Sequence, residues 1–427
     1  MDQNVYDAYV QLLNTELQPA LGCTEPIAIA YAAAKAREVL GVMPKKISVS
    51  CSGNIVKNVQ SVVVPNSEGL RGIDVAAILG TVAGNALSGL EVLKDIKGED
   101  VQKTRELLEE GFCTCMLADN ESNLFIRVLA ISGADSAAVE ITDHHTNITL
   151  IERNGKTLLS KTGEIKEDLF EKYAGYLNVR DILEFVDEVD LDDIKAVLDR
   201  EIDYNSAISR EGLTGNWGIG VGKSLLKYYD CKDVRTRACA SAAAGSDARM
   251  GGCSLPVIIN SGSGNQGMTL SLPVIEYAKE LNSKHDQLLR SLALSNLISM
   301  QEKSHLGSLS AFCGAVCAGT AAGCGIAYLH GGREQDISNV ITNCLADIGG
   351  VVCDGAKASC ASKIATAVKS GIFAFEMGMK DNKSFQNGDG LVKSNADNTI
   401  KSFGRMGKIG MKPTDLEILN IMLEKDI

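Results

Sequence analysis

Residues 306–329 read LGSLSAFCGAVCAGTAAGCGIAYL and contain no charged side chain. A run of this length is long enough to cross a bilayer. Only three of its residues are Leu, and its Gly, Ala, Ser, Thr and Cys content makes it far less apolar than a typical membrane-spanning helix. Small residues also allow helices to pack closely against one another. We therefore predict a buried helix at the centre of a mostly helical domain, and we exclude a membrane as a partner.

The composition around this stretch is that of a folded, acidic protein. The chain has 427 residues, of which 45% are hydrophobic and 22% are charged, as in ordinary globular proteins. At roughly 100–200 residues per domain, this length predicts two or three domains. The 42 basic and 54 acidic residues give a net charge of −12. Because no segment concentrates Lys and Arg, nucleic acids and anionic membranes are poor partners.

The order of the predicted elements indicates an α+β protein. A large, mostly helical domain is expected at 166–427, and a smaller α/β module with antiparallel strands at 44–165. Helices at 1–43 are expected to pack on the larger domain. Helical patterns occupy 2–17, 26–41, 73–96, 101–110, much of 164–203 and most of the chain beyond 205. A capping box at Thr414 predicts the start of the last helix. Strand patterns occupy 46–50, 60–65, 112–117, 124–131, 137–142 and a hairpin at 147–160 that turns at Asn154-Gly155.

The thirteen cysteines are the unusual feature of the composition. The first residues lack the basic and apolar regions of a secretory signal, and the number of cysteines is odd. We therefore expect a cytoplasmic protein with reduced thiols rather than a disulfide-bonded one. Free cysteines are usually buried, so most of the thirteen are expected to be core residues.

Cys23 stands in the segment LGCTEP, residues 21–26. A helix is predicted to start here, with Thr24 as a possible N-cap and Pro26 in the first turn. Unpaired N–H groups at a helix start favour negative charge, so this position is expected to lower the pKa of the Cys23 thiol. A buried structural cysteine beside a helix cap would give the same pattern.

A second group of cysteines lies around the charge-free stretch and after it. Cysteine-rich segments without His partners suit iron–sulfur chemistry better than a catalytic zinc. On one helix, Cys353 and Cys360 would lie about 10.5 Å apart at 1.5 Å per residue, too far for one compact cluster. Gly355 offers a break, so we expect Cys353 in a loop and Cys360 on or near the next helix. Cys313 and Cys317, at i and i+4, could share a metal, so spacing indicates a metal site without defining its ligands.

A third motif is PVIINSGSGNQG, residues 256–267, in which three glycines match the dinucleotide pattern G-x-G-x-x-G. A Rossmann unit needs a second parallel strand, yet 268–303 has a helical pattern, so NAD binding is disfavoured. The alternatives are a backbone nest for a small anion, such as a substrate carboxylate, and a plain Gly-rich turn. A serine hydrolase is not supported, because G-x-S-x-G is not found before a helix. The residues of the nest would be Ser261, Gly262, Ser263, Gly264 and Asn265.

These residues together resemble the L-cysteine desulfidase family, which is related to the α chain of iron–sulfur L-serine dehydratase. The most specific features are the segment ALGCTEP at 20–26 and the forty-residue step from Cys313 to Cys353. The resemblance runs the whole length of the chain and implies a [4Fe-4S] cluster held by Cys313, Cys353 and Cys360, with Cys23 as a proton acceptor. Compared with the dehydratases, the last two cysteines are closer together and Phe-Cys-Gly replaces Gly-Cys-Gln, which argues against a serine substrate more than against the cluster.

The resemblance implies a β-eliminating lyase that converts L-cysteine into pyruvate, ammonia and sulfide. Three thiolate ligands leave one iron open as a Lewis acid, Cys23 would remove the α-proton, and the nest would orient the substrate. Glu25 and His305 are candidate supporting residues. The alternatives are an iron–sulfur L-serine dehydratase and a non-enzymatic iron–sulfur or thiol-based sensor, although a sensor has no use for Cys23. We expect a small amino-acid substrate as the partner, and homo-oligomerisation is left open.

Overall fold

The computed structural model describes residues 1–118, 122–161, 169–307 and 310–424. The α-helices in these ranges are α1 (Gln3–Glu16), α2 (Thr24–Leu40), α3 (Gly53–Val59), α4 (Ile73–Ala83), α5 (Gly98–Glu109), α6 (Leu169–Ala174), α7 (Val179–Glu188), α8 (Lys195–Thr214), α9 (Val221–Tyr228), α10 (Val234–Met250), α11 (Gly264–Glu280), α12 (His285–Leu306), α13 (Gly314–Leu329), α14 (Glu334–Ile348), α15 (Cys360–Phe375), α16 (Ala396–Arg405) and α17 (Lys412–Met422). The strands are β1 (Pro19–Leu21), β2 (Lys46–Cys51), β3 (Cys113–Leu117), β4 (Phe125–Ser132), β5 (Asp135–Thr142), β6 (Ile148–Arg153), β7 (Lys156–Ser160) and β8 (Pro256–Ile258).

The predicted α+β class is confirmed. Strands β2 to β7 form one sheet in the order β3-β2-β4-β5-β6-β7, and only the β2–β3 pair is parallel. The predicted hairpin between β6 and β7 turns at Asn154 and Gly155, which have φ values of 51° and 75°. Two consecutive positive φ values are what a type I′ turn requires. The remaining elements are mostly helical.

Two hydrophobic cores organise the described residues. The larger core joins α1 to the helices that follow residue 177, and the smaller one joins α2 and α4 to the sheet. Burial alternates along β4, so Ile126, Val128 and Ala130 face the helices. The apolar side of α2 belongs to the smaller core. The division into 1–43, 44–165 and 166–427 remains a prediction, and its boundary at 165/166 lies outside the described residues.

Helix α13 is the buried centre of the larger core, as its small, uncharged residues predicted. Every residue from Ala315 to Leu329 is buried, and α11, α12, α14 and α15 pack around them. The charge-free stretch is not one helix, however. Helix α12 ends at Leu306, Gly307 has a φ of 87°, and Cys313 is the N-cap of α13. The break therefore places Cys313 at a helix start instead of inside a long helix.

The crossing of α13 and α15 depends on glycine. A Cβ at Gly371 would stand 2.0 Å from the Gly319 carbonyl oxygen. Because that contact is with backbone, we expect Gly371→Ala to lower the free energy of unfolding by about 1–3 kcal/mol or more, as overpacked cores do. Urea unfolding followed by circular dichroism measures the change. The matched control is Gly175→Ala, since a Cβ there meets no atom within 4 Å; equal stability of the two variants would contradict the prediction.

The strand predicted at 60–65 is wrong. The three valines of this segment are buried, but the chain turns there after α3, and Val63 forms only an isolated bridge with Arg71. β-Branched residues favour strands because they pack well on a half-buried surface. In this segment a turn buries them equally well, so the residue type misleads.

Two predicted helix boundaries also differ from the structure. Helix α4 ends at Ala83, although the helical pattern continues to residue 96, because Gly84 is extended. Thr414 is not the start of a capping box. Helix α17 begins two residues earlier, with Pro413 in its first turn, where proline is well tolerated.

Candidate active site

One cavity of about 1000 Å³ brings most of the sequence-predicted site residues together. Cys23, Cys313, Cys353 and Cys360 all line it. These cysteines come from the start of α2, the start of α13, an extended segment after α14, and the start of α15. Segments far apart in the chain therefore converge on a single space.

Backbone pairing places Cys313 beside Cys353. The Cys313 N–H donates to the Val351 carbonyl at 2.9 Å, and the Cys353 N–H donates to the Ala311 carbonyl at 2.7 Å. The two thiols are near enough for each to shift the pKa of the other. Gly355 has a φ of 94° and ends this extended segment before α15 begins. Cys353 thus lies in a loop and Cys360 on the following helix, as predicted from their spacing.

Two lysines, each paired with an aspartate, lie near the thiols at this end of the cavity. The neighbouring Cys313 thiol and the charges of Lys57 and Lys363 lower the pKa of the Cys353 thiol, although burial opposes the change. The pKa of Cys313 is raised in turn, chiefly by Cys353 and by burial. Lys57 is itself buried and forms an ion pair with Asp415 of α17. Positive charge in a buried site stabilises thiolates, which are the form that binds metal.

The three thiols do not form a ready-made site for a single metal ion. In the described part of the chain, no group of three or more His, Cys, Asp or Glu side chains converges closely enough to hold one metal ion. The ligands of an iron–sulfur cluster bind different irons, so their sulfurs need not converge on a point. Cys317, which could have shared a metal with Cys313, does not line the cavity and faces Glu302 instead.

Cys23 is the N-cap of α2, but its surroundings do not favour a thiolate. The side chain is 2% exposed, and its thiol donates a hydrogen bond to Glu25 Oε2 at 2.8 Å. Burial and the adjacent Glu25 carboxylate raise the pKa of Cys23 well above its usual range. The prediction of a lowered pKa is therefore wrong, because these two effects outweigh the helix start.

Glu25 is a buried carboxylate that accepts several hydrogen bonds. It accepts from the Thr24 hydroxyl at 3.2 Å and from Asn58 Nδ2 at 3.1 Å, and His145 Nε2 lies 3.8 Å from its Oε1. Burial raises the pKa of Glu25, but the nearby His145 and the thiol of Cys23 outweigh it and bring the pKa to about 2. In the Cys23–Glu25 pair, the thiol is therefore the hydrogen-bond donor and the ionised carboxylate is the acceptor.

The Gly-rich loop lies on the same cavity and is joined to the Cys23 segment. Ser261 and Gly262 have φ values of 48° and 77°, and the Thr24 hydroxyl donates to the Gly262 carbonyl at 3.1 Å. Ser261, Gly262, Ser263 and Asn265 line the cavity, whereas Gly264 lies behind them. The strand before the loop, β8, pairs only with β1 and is antiparallel to it. This arrangement is not a Rossmann unit, as its helical continuation indicated.

A buried polar network supports the loop from below. The Ser261 hydroxyl donates to Asn260 Oδ1, and Asn260 Nδ2 donates to Asn296 Oδ1, both at 2.9 Å. Asn296 Nδ2 then donates to Glu201 Oε2 at 3.0 Å. Burial raises the pKa of Glu201 to about 8. Paired polar groups in a core hold a unique geometry, so this network fixes the loop.

His305 does not line the cavity. It lies in the last turn of α12 against Gly404 of α16, and burial lowers its pKa. As a candidate supporting residue it therefore lies away from the cavity lining, and its role stays a prediction. Other cavity residues carried no motif that singled them out. The one visible signal was the presence of two charged residues, Asp247 and Arg249, in the small-residue run 238–250. The lining residues that were not predicted include Lys57, His145, Arg249, Gln266 and Lys303.

Fold and site together define a mostly helical protein with a thiol-lined cavity, and none of its described helices is long and apolar enough to span a membrane. The chain belongs to the serine dehydratase alpha chain family, whose family model matches residues 87–420. It is 50% identical to a UPF0597 protein of Desulfitobacterium hafniense, over 98% of this chain and 97% of that protein. A UPF0597 protein of Lachnoclostridium phytofermentans is 49% identical, over 98% of this chain and 100% of the relative.

The comparisons support the relation to serine dehydratases and leave the cysteine specificity a prediction. Cys23 precedes the part matched by the family model, but both relatives cover almost the whole chain.

Proposed function

We propose that this protein is a β-eliminating lyase that converts L-cysteine into pyruvate, ammonia and sulfide with a [4Fe-4S] cluster. The observation that carries the proposal is the convergence of three candidate ligand thiols and the Cys23–Glu25 pair on one cavity. Membership of the serine dehydratase alpha chain family supports lyase chemistry on a small amino acid. The resemblance to L-cysteine desulfidases supports cysteine as the substrate.

Cys313, Cys353 and Cys360 would hold the cluster. When bound through three thiolates, it supplies a Lewis acid for the substituent on the substrate's β-carbon. At this end of the cavity the Cys313 thiol, with smaller contributions from Lys57 and Lys363, lowers the pKa of Cys353 and so favours its ligating form. The bonds between the backbone at 311–313 and 351–353 keep two of the thiols adjacent.

Cys23 and Glu25 would move the α-proton as a coupled pair. The Cys23 thiol already donates to Glu25 Oε2 at 2.8 Å. As the sulfur takes the proton from the substrate's α-carbon, Glu25 takes the proton that the sulfur held, so the thiol is restored and the carboxyl is protonated. The raised pKa of Cys23 makes its sulfur a strong base once the thiol proton has passed to Glu25. The low pKa of Glu25 makes that transfer uphill, and the protonated carboxyl then gives up its proton readily.

The electron pair of the broken Cα–H bond then forms the Cα–Cβ double bond, and the β-substituent leaves with its own bonding pair. The Glu25 proton is available to the departing sulfide, which restores the carboxylate. The other product is aminoacrylate, which tautomerises to an imine and hydrolyses to pyruvate and ammonia. The rigid Gly-rich loop, held by Asn260 and Asn296, would keep the substrate oriented during these steps.

The proposal predicts turnover after anaerobic reconstitution with iron and sulfide. L-Cysteine should give pyruvate and sulfide in equal amounts, and L-serine should give pyruvate more slowly. Pyruvate is measured with lactate dehydrogenase and sulfide by methylene blue formation, with protein that has lost its cluster in air as the control. Faster reaction with L-serine would instead favour an L-serine dehydratase, which the family match supports. A stable cluster with no turnover of either amino acid would contradict both and favour a sensor.

A further inference from the structure

The cavity contains a buried arginine that the mechanism above does not use. Arg249 lies in the last turn of α10, is 2% exposed, and lines the cavity. Its Nε has no hydrogen-bond partner, and no ion pair with Asp or Glu is formed by it in the described ranges. An unpaired charge is costly to bury. The missing anion is therefore expected to come from a ligand.

Two amide side chains beside it offer unpaired acceptors. Asn265 and Gln266 are in the first turn of α11, and both line the cavity. Asn265 Oδ1 and Gln266 Oε1 are buried without a hydrogen-bond partner. Buried polar atoms in native proteins nearly always have partners. One donor and two acceptors without partners, on three residues that line one cavity, complement a ligand that carries both an anionic and a cationic group.

Two glycines make room for these side chains. A Cβ at Gly264 would stand 2.6 Å from Arg249 Nε, and a Cβ at Gly314 would stand 2.9 Å from Gln266 Oε1. Gly314 directly follows Cys313, so the Gln266 amide lies next to the candidate cluster ligands. The Arg249 charge in turn acts on the thiols of Cys23 and Cys360. The three polar groups therefore lie between the candidate base and the candidate cluster site.

We propose that Arg249, rather than the backbone of the Gly-rich loop, binds the α-carboxylate of a free α-amino acid, and that the amide oxygens of Asn265 and Gln266 receive its α-ammonium group. This inference rests on the proposed function, since it identifies the recognition groups for that reaction. A guanidinium is suited to the task because its fork of N–H donors matches both oxygens of a carboxylate. The site selects substrates with a free carboxylate and a free amine, and it excludes hydroxy acids and simple amines.

The test measures binding of L-alanine, which has both groups but no leaving group and is not consumed. Isothermal titration calorimetry on the anaerobically reconstituted protein compares it with propionate and ethylamine. L-Alanine should bind at least about tenfold more tightly than either fragment. Arg249→Met should weaken it by about 100-fold, as expected for losing one partner of a buried charge pair. Arg237→Met, on the same helix with its guanidinium paired to Glu280, is the matched control and should bind normally.

Further variants keep the test decisive if Arg249→Met does not fold. Arg249→Lys keeps the positive charge but loses the forked N–H donors of the guanidinium, so it should weaken L-alanine binding by about tenfold. Gln266→Leu should weaken the binding of L-alanine and leave the binding of propionate unchanged. Unaltered L-alanine binding in both Arg249 variants would overturn the carboxylate assignment. Propionate binding as tight as L-alanine binding in the wild type would overturn the ammonium assignment.

The outcomes separate this inference from the proposed function. If L-alanine binding depends on Arg249 but neither L-cysteine nor L-serine is turned over, the recognition site stands and the lyase proposal fails. If L-cysteine is turned over with an unchanged KM in Arg249→Met, the lyase proposal stands and the recognition site fails.

Discussion

Cys23→Ser should lower turnover of L-cysteine by about 10²–10⁴-fold while the cluster remains, the usual effect of removing a positioned acid–base group. Serine keeps the hydrogen bond to Glu25 but has a hydroxyl too weakly acidic to act in the same proton exchange. Exchange of the substrate's α-proton with solvent should fall in parallel. Iron content and the visible absorption spectrum, recorded beside the kinetics, show whether the cluster is retained.

Cys344→Ser is the matched control for this change. Cys344 is fully buried, does not line the cavity, and lies 3.5 Å from the Ser370 hydroxyl, so a serine there finds a partner. Its turnover should stay close to that of the wild type. Near-normal turnover in Cys23→Ser would refute the role of Cys23 as the base. Loss of the cluster in that variant would instead identify Cys23 as a ligand.

Replacing any one of Cys313, Cys353 or Cys360 by alanine should abolish turnover and reduce the iron and sulfide content to a small fraction of the reconstituted wild type. Each variant removes one of three thiolates, and a cluster held by only two is not expected to survive purification. Iron and acid-labile sulfide are measured on protein prepared without oxygen, because air is expected to destroy the cluster and oxidise the thiols.

Cys317→Ala tests whether this effect is specific to the cavity. Cys317 lies on the same helix, one turn after Cys313, but faces Glu302 and does not line the cavity. It should keep full iron and sulfide content. Full occupancy after the loss of Cys313, Cys353 or Cys360 would remove that residue from the ligand set, and loss of iron in Cys317→Ala would add a residue to it.

Much of the secondary structure was predictable because it follows from local chemistry. Asn154-Gly155 marks a hairpin turn, since both residues accept the positive φ that the turn needs. The small-residue pattern of α13 predicted its burial. The prediction of a strand at 60–65 failed for the opposite reason. The valines there are buried by long-range packing, and residue type alone does not distinguish a buried strand from a buried turn.

The candidate site was predictable only in part. Motifs and resemblance selected the four cysteines and the Gly-rich loop, which do line one cavity. Arg249 belongs to no sequence motif. What distinguishes it is that it has no ion-pair partner in the part of the chain that the structure describes. Whether a charged residue has such a partner depends on tertiary structure. The pKa of Cys23 was mispredicted likewise, because a sequence shows the helix start but not the burial.

The short ribbon of β1 and β8 has a consequence for how the protein is made. It ties the segment before Cys23 to the segment before the Gly-rich loop, and Thr24 bonds to Gly262 across 238 positions of the chain. During synthesis at about 5–20 residues per second, the beginning of the chain waits many seconds for this strand partner. Closing so long a loop loses chain entropy before the stabilising contacts have formed. The cavity therefore stays incomplete during much of synthesis, and its four thiols can come together only after the segment that carries Cys360 has been made.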